Sequence, residues 1–310
     1  MAAEYVVVLH LGAHKTGTSL IQKYLRDRPA DLARMRLTFL TRTTTNEVLG
    51  WGMKPLEAPE RLRDAVHKAA GSRVILRHRV PLPRALPLVA GGPVRTVVVS
   101  HENALGRPFI DDSPGLYPRA GQRLGGIVDA LQGHRLRLVY YIRSQAQFLE
   151  SYYLQTIHQG SSATFREWLS EIDLDAVSWA PLVETLAAAV GESNLVVKDF
   201  AEIKRGQNRF LEDFLHTCDH RLDPHVDYPD ARNRSVSERG LEFALAMNPW
   251  LETETERKAA RVWLQTHFNN TTGPRPVLFT DAESAALRER YDAENGTLLN
   301  RFGDRGAGAK

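Results

Sequence analysis

Near the N-terminus, between an apolar run and a helical pattern, lies Gly12-Ala-His14-Lys15-Thr16-Gly17-Thr18-Ser19. It gathers two glycines, a lysine and three hydroxyl side chains, a combination suited to holding an anion. A strand that turns sharply into a helix aims backbone N–H groups and the positive end of the helix dipole at one point. Glycine lets the backbone curl close to the bound group. Lys15 adds a point charge, and Thr18 and Ser19 offer hydroxyl donors in the first helical turn. The flanks agree: Tyr5–Leu11 is an apolar run, and Leu20, Ile21, Tyr24 and Leu25 recur at helical spacing until Pro29. A plain strand–helix turn would need the glycines but neither the lysine nor the hydroxyls.

Gly12 and Gly17 have the spacing of a Walker A loop, G-x-x-x-x-G-K-[ST]. The lysine does not follow the second glycine, however. It stands at position 15, and Thr18 takes its slot. A lysine placed earlier in the turn lies nearer a leaving group at the end of a shorter anion. The loop is therefore a relative of the ATP-binding loop and not a copy of it.

The elements that must hold this loop show as an alternation of short apolar runs and longer amphipathic stretches. The runs are Tyr5–Leu11, Arg95–Ser100, Arg135–Ile142 and Asn194–Phe200. Val6–Val8 and Val97–Val99 are continuous, as in strands covered on both faces of a parallel sheet. The predicted fold class is α/β: a P-loop-like, doubly wound parallel sheet flanked by helices, with a mainly helical C-terminal third. Ser144-x-x-Gln147, Ser235-x-x-Glu238 and Thr280-x-x-Glu283 read as capping boxes that open helices. The proline-rich stretch Arg79–Pro93 reads as an extended loop and Gly303–Lys310 as a frayed tail. No internal repeat is present, and residues 1–310 are expected to form one domain.

Of 310 residues, 43% are hydrophobic and 25% charged, which excludes disordered, collagen-like and coiled-coil classes. No run approaches the roughly 18 apolar residues of a membrane span. The N-terminal apolar stretch is too short for a secretory core, and one cysteine, Cys218, excludes an internal disulfide. Together these predict a cytoplasmic location. Net charge is +3, with nine Lys or Arg against three acids from Lys54 to Arg95. That segment is either a solvated basic face or a rim that attracts a phosphorylated or sulfated ligand. No nucleic-acid partner is expected. His216, Cys218 and His220, with His225 nearby, look metal-like, but on a helix Cys218 points away from the two histidines, so no metal site is expected. Trp51, Trp168, Trp179, Trp250 and Trp263 read as core residues.

Lys15-Thr-Gly-Thr-Ser19 after an apolar strand resembles the 5′-phosphosulfate loop of sulfotransferases that use 3′-phosphoadenosine 5′-phosphosulfate, PAPS, as donor. The variant His14-Lys15-Thr16-Gly17-Thr18 is similar to the bacterial branch, near the Golgi carbohydrate enzymes. A second motif, Tyr141-Ile-Arg143 through Ser151-Tyr-Tyr153, resembles the family's 3′-phosphate motif, in which an arginine at a strand end and a serine eight residues on hold that phosphate. Arginine suits the task because its fork meets phosphate oxygens in two bonds. The role of Ser151 is what the resemblance implies; spacing alone does not place it. This chain reads Arg143-Ser-Gln where the family more often has Arg-Asp-Pro. More loosely, Asn233-Arg234-Ser235 resembles a late loop that closes over the nucleotide.

The resemblance implies PAPS as donor, PAP as product and no catalytic metal, with Lys15, Thr16, Gly17, Thr18 and Ser19 on the phosphosulfate. The acceptor would be a hydroxyl of a sugar or small metabolite, and the basic segment hints at an anionic one. Lys15 would stabilise the leaving oxygen. A general base is expected at the end of the Arg95–Ser100 strand, where His101 and Glu102 are adjacent and point to opposite sides. Carbohydrate-type relatives favour Glu102, cytosolic ones favour a histidine and hence His101, and both could instead only cap the next turn. Two other function classes stay open: a P-loop kinase using ATP and magnesium, and a non-catalytic nucleotide or polyanion binder.

Overall fold

The structure, a computed structural model, describes residues 5–40, 93–110, 113–222 and 235–304, together with Thr45, Val48, Leu82 and Leu86. Five strands form one parallel sheet: β1 (Val6–His10), β2 (Leu37–Leu40), β3 (Thr96–Ser100), β4 (Arg135–Ile142) and β5 (Leu195–Asp199), in the order β2-β3-β1-β4-β5. Four of these match the predicted runs to within a residue. β2 went unread because its four residues follow a helix too closely to stand out as a run.

Continuous apolar strands acquire two different faces. Val8, Val98, Val139 and Tyr141 pack on one side, with α1 (Thr18–Asp27), α2 (Pro29–Arg34) and α7 (Gln207–His216). Val7, Leu9, Val97, Leu138 and Tyr140 face the other. That side is covered by α3 (Ala120–Ala130), α4 (Gln145–His158), α6 (Ala180–Val190) and α10 (Asp281–Phe302). The period of two in each strand assigns the faces. Helices on both sides exclude water from both, which is why the alternation of apolar and polar residues is missing. Further helices are the short α5 (Phe165–Ser170), α8 (Glu238–Met247) and α9 (Glu254–His267). Beyond β5 the described elements are helices and 3-10 turns, joined by an isolated bridge between Val236 and Asn269.

Several local expectations are corrected. Thr280 and Glu283 do form a capping box at α10. Ser144 precedes α4 but makes no capping bond. Ser237, not Ser235, caps α8, because Ser235 is paired to the 269–272 turn through Asn270 at 2.9 and 3.1 Å. Leu82 and Leu86 are helical and buried, so they do not belong to an extended loop. The rest of Arg79–Gly92, Arg234, and all of the basic Lys54–Arg95 segment before Pro93 except those two leucines lie outside the described residues, as does Trp51. Trp179 is core, but Trp250 and Trp263 are 82% and 44% exposed. In the tail, Asp304 is held by His216 at 3.2 Å and Lys198 at 3.5 Å.

Candidate active site

Parallel strands bring all their C-terminal ends to one edge. The order β3-β1-β4 sets three of the singled-out segments side by side there. Glu102 follows β3, Lys15 follows β1 and Arg143 follows β4. Neighbouring strands lie about 4.8 Å apart, so the three segments leave the sheet as a row, and the charges of Arg143 and Glu102 both act on Lys15. The connection from β1 runs toward β2 and the one from β4 toward β5. The row therefore sits where connections diverge, the place where open α/β sheets bind ligands.

The loop between β1 and α1 is wound tightly. Lys15 and Gly17 both have left-handed backbones, with φ of 67° and 78°. Such alternation turns successive N–H groups toward a common point. Gly17 is also obliged to be small, since a Cβ there would lie 3.0 Å from Phe210 and 3.1 Å from Phe200. At Gly12 a Cβ would fall 2.9 Å from Thr16 Oγ1 and 3.1 Å from His10 Nε2. Its smallness thus serves the loop's own packing. The Thr16 hydroxyl donates to Ala13 O at 2.6 Å, so Thr16 can offer an anion only its backbone. Thr18 Oγ1 is buried with no hydrogen-bond partner among the described residues, while Ser19 and Lys15 are exposed.

His14, quoted as part of the motif but given no role from sequence, staples the loop. Its backbone N–H donates to Tyr117 Oη at 2.9 Å, and its ring nitrogens lie 2.8 Å from Tyr117 Oη and 2.8 Å from Asn103 Oδ1. A carbonyl oxygen at Nε2 requires a proton on that nitrogen, so Nδ1 accepts from the tyrosine. Burial lowers the His14 pKa, against the opposing pull of Asn103 and Glu102, and the ring is neutral at pH 7. Tyr117 itself is left-handed at φ 54°. The Tyr117 end of the staple, and Lys15 beside its other end, are therefore held in costly backbone conformations by the surrounding packing.

Arg143 binds the same loop from the other side. Its Nη1 donates to Lys15 O at 3.1 Å, its guanidinium lies 5.1 Å from the Phe200 ring centroid, and its own carbonyl accepts from Trp179 Nε1 at 2.7 Å. Its Nε is buried without a partner among the described residues. Burial brings its pKa down to about 10; Glu150 opposes the fall and the charge of Arg275 adds to it. Lys15 is lowered too, first by desolvation and then by Arg143, with Glu102 opposing. Though accessible to solvent, its ammonium stands in a crevice crowded enough to weaken its hydration. An orphaned arginine N–H, an orphaned threonine hydroxyl, a helix N-terminus and a poorly solvated lysine make a donor set suited to a phosphate or sulfate.

A cavity of about 290 Å³ adjoins Arg143, lined also by Ile142, Ser144, Gln147, Asp199 and Asn295. Gln147 projects into it from α4, and Ser151 is one turn further on the same helical face. Ser235 is paired with Asn270 through its backbone at 2.9 and 3.1 Å.

Of the two candidate bases, His101 accepts at Nδ1 from the Asn103 backbone N–H at 3.2 Å. Glu102 reaches toward α1, where Gln22 Nε2 donates to its Oε2 at 3.2 Å. Beneath the loop, His10 is fully buried, its Nδ1 2.9 Å from Ser100 Oγ, and burial drives its pKa down to about 3. His158, ending α4, falls to about 4 through burial and then the charges of Lys15 and Arg261. Sequence reasoning missed Gln22, Tyr117, Asn103 and Arg275. Only Gln22, one turn into the helix, carried any signal by position.

Among the described residues no group of three or more His, Cys, Asp or Glu is placed to hold a metal ion, and no helix is long and apolar enough to cross a membrane. Cys218 is buried, with its thiol pushed up to about 12. No family model matches the chain, and no curated protein matches it. Among solved structures, the crystal structure of a sulfotransferase from Alicyclobacillus acidocaldarius is similar at 15% identity and a TM-score of 0.43, over 93% of this chain and 100% of the other. A likeness at that level carries no argument; the functional reading rests on the row of Glu102, Lys15 and Arg143.

Proposed function

We propose that this chain is a sulfotransferase that moves a sulfuryl group from PAPS to a hydroxyl of a sugar or small metabolite. The observation that carries the reading is the Arg143–Lys15 bond of 3.1 Å, which joins the segment resembling the 3′-phosphate motif to the one resembling the 5′-phosphosulfate loop. Arg143, with Ser151, would hold the 3′-phosphate. The α1 N-terminus, Thr18, Ser19 and the turn through Gly17 would hold the 5′-phosphosulfate.

Glu102 takes the proton of the acceptor hydroxyl as that oxygen attacks sulfur. The bond from sulfur to the 5′-phosphate oxygen breaks, and negative charge grows on the departing oxygen. Lys15 and the backbone N–H groups of the loop stabilise that charge. The products are PAP and the sulfated acceptor. In the strand order, Lys15 stands between Glu102 and Arg143, as in-line transfer between an acceptor on one side and a nucleotide on the other requires. Positioning and charge stabilisation supply most of the catalysis in this kind of transfer.

Calorimetric titration tests the reading, with PAP in the absence of metal beside ATP with magnesium, on wild type and Arg143→Ala. Tight PAP binding that is lost in the variant is expected. Preference for ATP with magnesium would replace the reading with a kinase. PAP binding with no PAPS turnover, and no effect of Glu102→Gln, would leave a nucleotide binder.

A further inference from the structure

Gln22 is held by three acceptors at once. Its Nε2 lies 3.1 Å from Ser100 O, 3.3 Å from Ser100 Oγ and 3.2 Å from Glu102 Oε2. A backbone carbonyl and a carboxylate can only accept, so the amide nitrogen must face them and the orientation of the side chain is settled by chemistry. Gln22 stands one helical turn after Thr18, the first residue of α1. That helix therefore presents its N-terminus to the anion site and, about 6 Å along its axis, reaches across β3 to Glu102. Ser100 is fixed in turn, since His10 and Ser100 are register partners in β1 and β3 and share a 2.9 Å bond.

We infer that Gln22 is the positioning residue for Glu102: one turn of α1 acts as a ruler that sets the carboxylate at a constant offset from the loop that holds the transferable group. The inference rests on the sulfotransferase reading. Gln22 touches neither donor nor acceptor and acts only through the orientation of the carboxylate. Turnover should therefore fall while the affinity for the nucleotide is kept.

The test uses the intact chain and PAPS with water as the acceptor hydroxyl, following PAP and sulfate formation, beside calorimetric binding of PAP. Gln22→Met keeps length and bulk and removes the donors. It is expected to lower turnover about 10- to 100-fold, the scale of a 1 Å misplacement, with PAP affinity within about twofold of wild type because the phosphate loop is untouched. In a Glu102→Gln background, Gln22→Met should cost little further, since residues acting through one another are not additive. Full turnover in Gln22→Met, or a loss that simply adds to that of Glu102→Gln, would overturn the inference while leaving the sulfotransferase reading intact. A wild-type protein that neither binds PAP nor turns over PAPS would overturn both.

Discussion

The guanidinium of Arg143 donates to the backbone carbonyl of Lys15 at 3.1 Å, across 128 positions of sequence. The bond closes the crevice floor: a cation at the end of β4 holds the turn after β1 in the left-handed conformation that Lys15 adopts. Arg143 also keeps a buried Nε without a partner among the described residues, so one fork shapes the loop and retains a donor for the proposed anion.

Replacing that fork with a point charge should not preserve function. Arg143→Lys keeps the charge but cannot donate to Lys15 O and to an anion in the same plane. PAP affinity is expected to fall about 10- to 100-fold, the worth of a charge-assisted bond, as read by calorimetry. Affinity equal to wild type would mean that only charge matters at this position.

The glycine at position 17 is constrained twice, by backbone and by space. Gly17→Ala should destabilise the protein more than Gly133→Ala. Both have positive φ, but a Cβ at Gly133 meets nothing within 4 Å while one at Gly17 meets two phenylalanine rings. The left-handed conformation alone costs about 1–2 kcal/mol, and the excess at Gly17 measures the rings. Urea unfolding of both variants reads the difference.

Tyr117 is tied to the loop by its hydroxyl and by its ring, which stacks on His14 with centroids 5.8 Å apart. Tyr117→Phe leaves the His14 backbone N–H and Nδ1 buried without their partner. A loss of about 1–3 kcal/mol is expected from unsatisfied buried groups, together with weaker PAP binding as the loop relaxes. Chemical unfolding and calorimetry on the same variant check both.

Stability should fall on mild acidification. His10 titrates at about 3 in the folded protein because burial disfavours its charged form, against about 6.5 when unfolded. Below pH 6.5 the unfolded chain takes a proton that the folded chain refuses. The stability is complete above pH 6.5 and is lost progressively from there down to about pH 3. At pH 5 the loss from His10 is on the order of 2 kcal/mol. His14 and His158, both lowered, act in the same direction. Urea midpoints at pH 7 and pH 5 should show it, and His10→Gln should lose less between the two; an equal loss would place the proton elsewhere.

Local patterns in the chain were enough to locate four of the five strands, the strand–turn–helix that winds around Lys15, and the buried face of α1 formed by Leu20, Ile21, Tyr24 and Leu25. These follow from neighbours in sequence: an apolar run, glycine spacing and a helical period. The glycines themselves were legible, but not the reason for them at Gly12, which is crowding by Thr16 and His10. The pairing of Glu102 with Gln22, the staple of His14 to Tyr117 across 103 positions, and the burial of His10 beneath the loop were decided by tertiary structure alone. They depend on strand order, because a parallel sheet in the order β2-β3-β1-β4-β5 makes neighbours of residues that no local pattern connects. His101 and Glu102, adjacent residues of suitable chemistry, are equivalent in sequence, and only the fold distinguishes their contacts, the ring accepting from its own turn and the carboxylate from a helix.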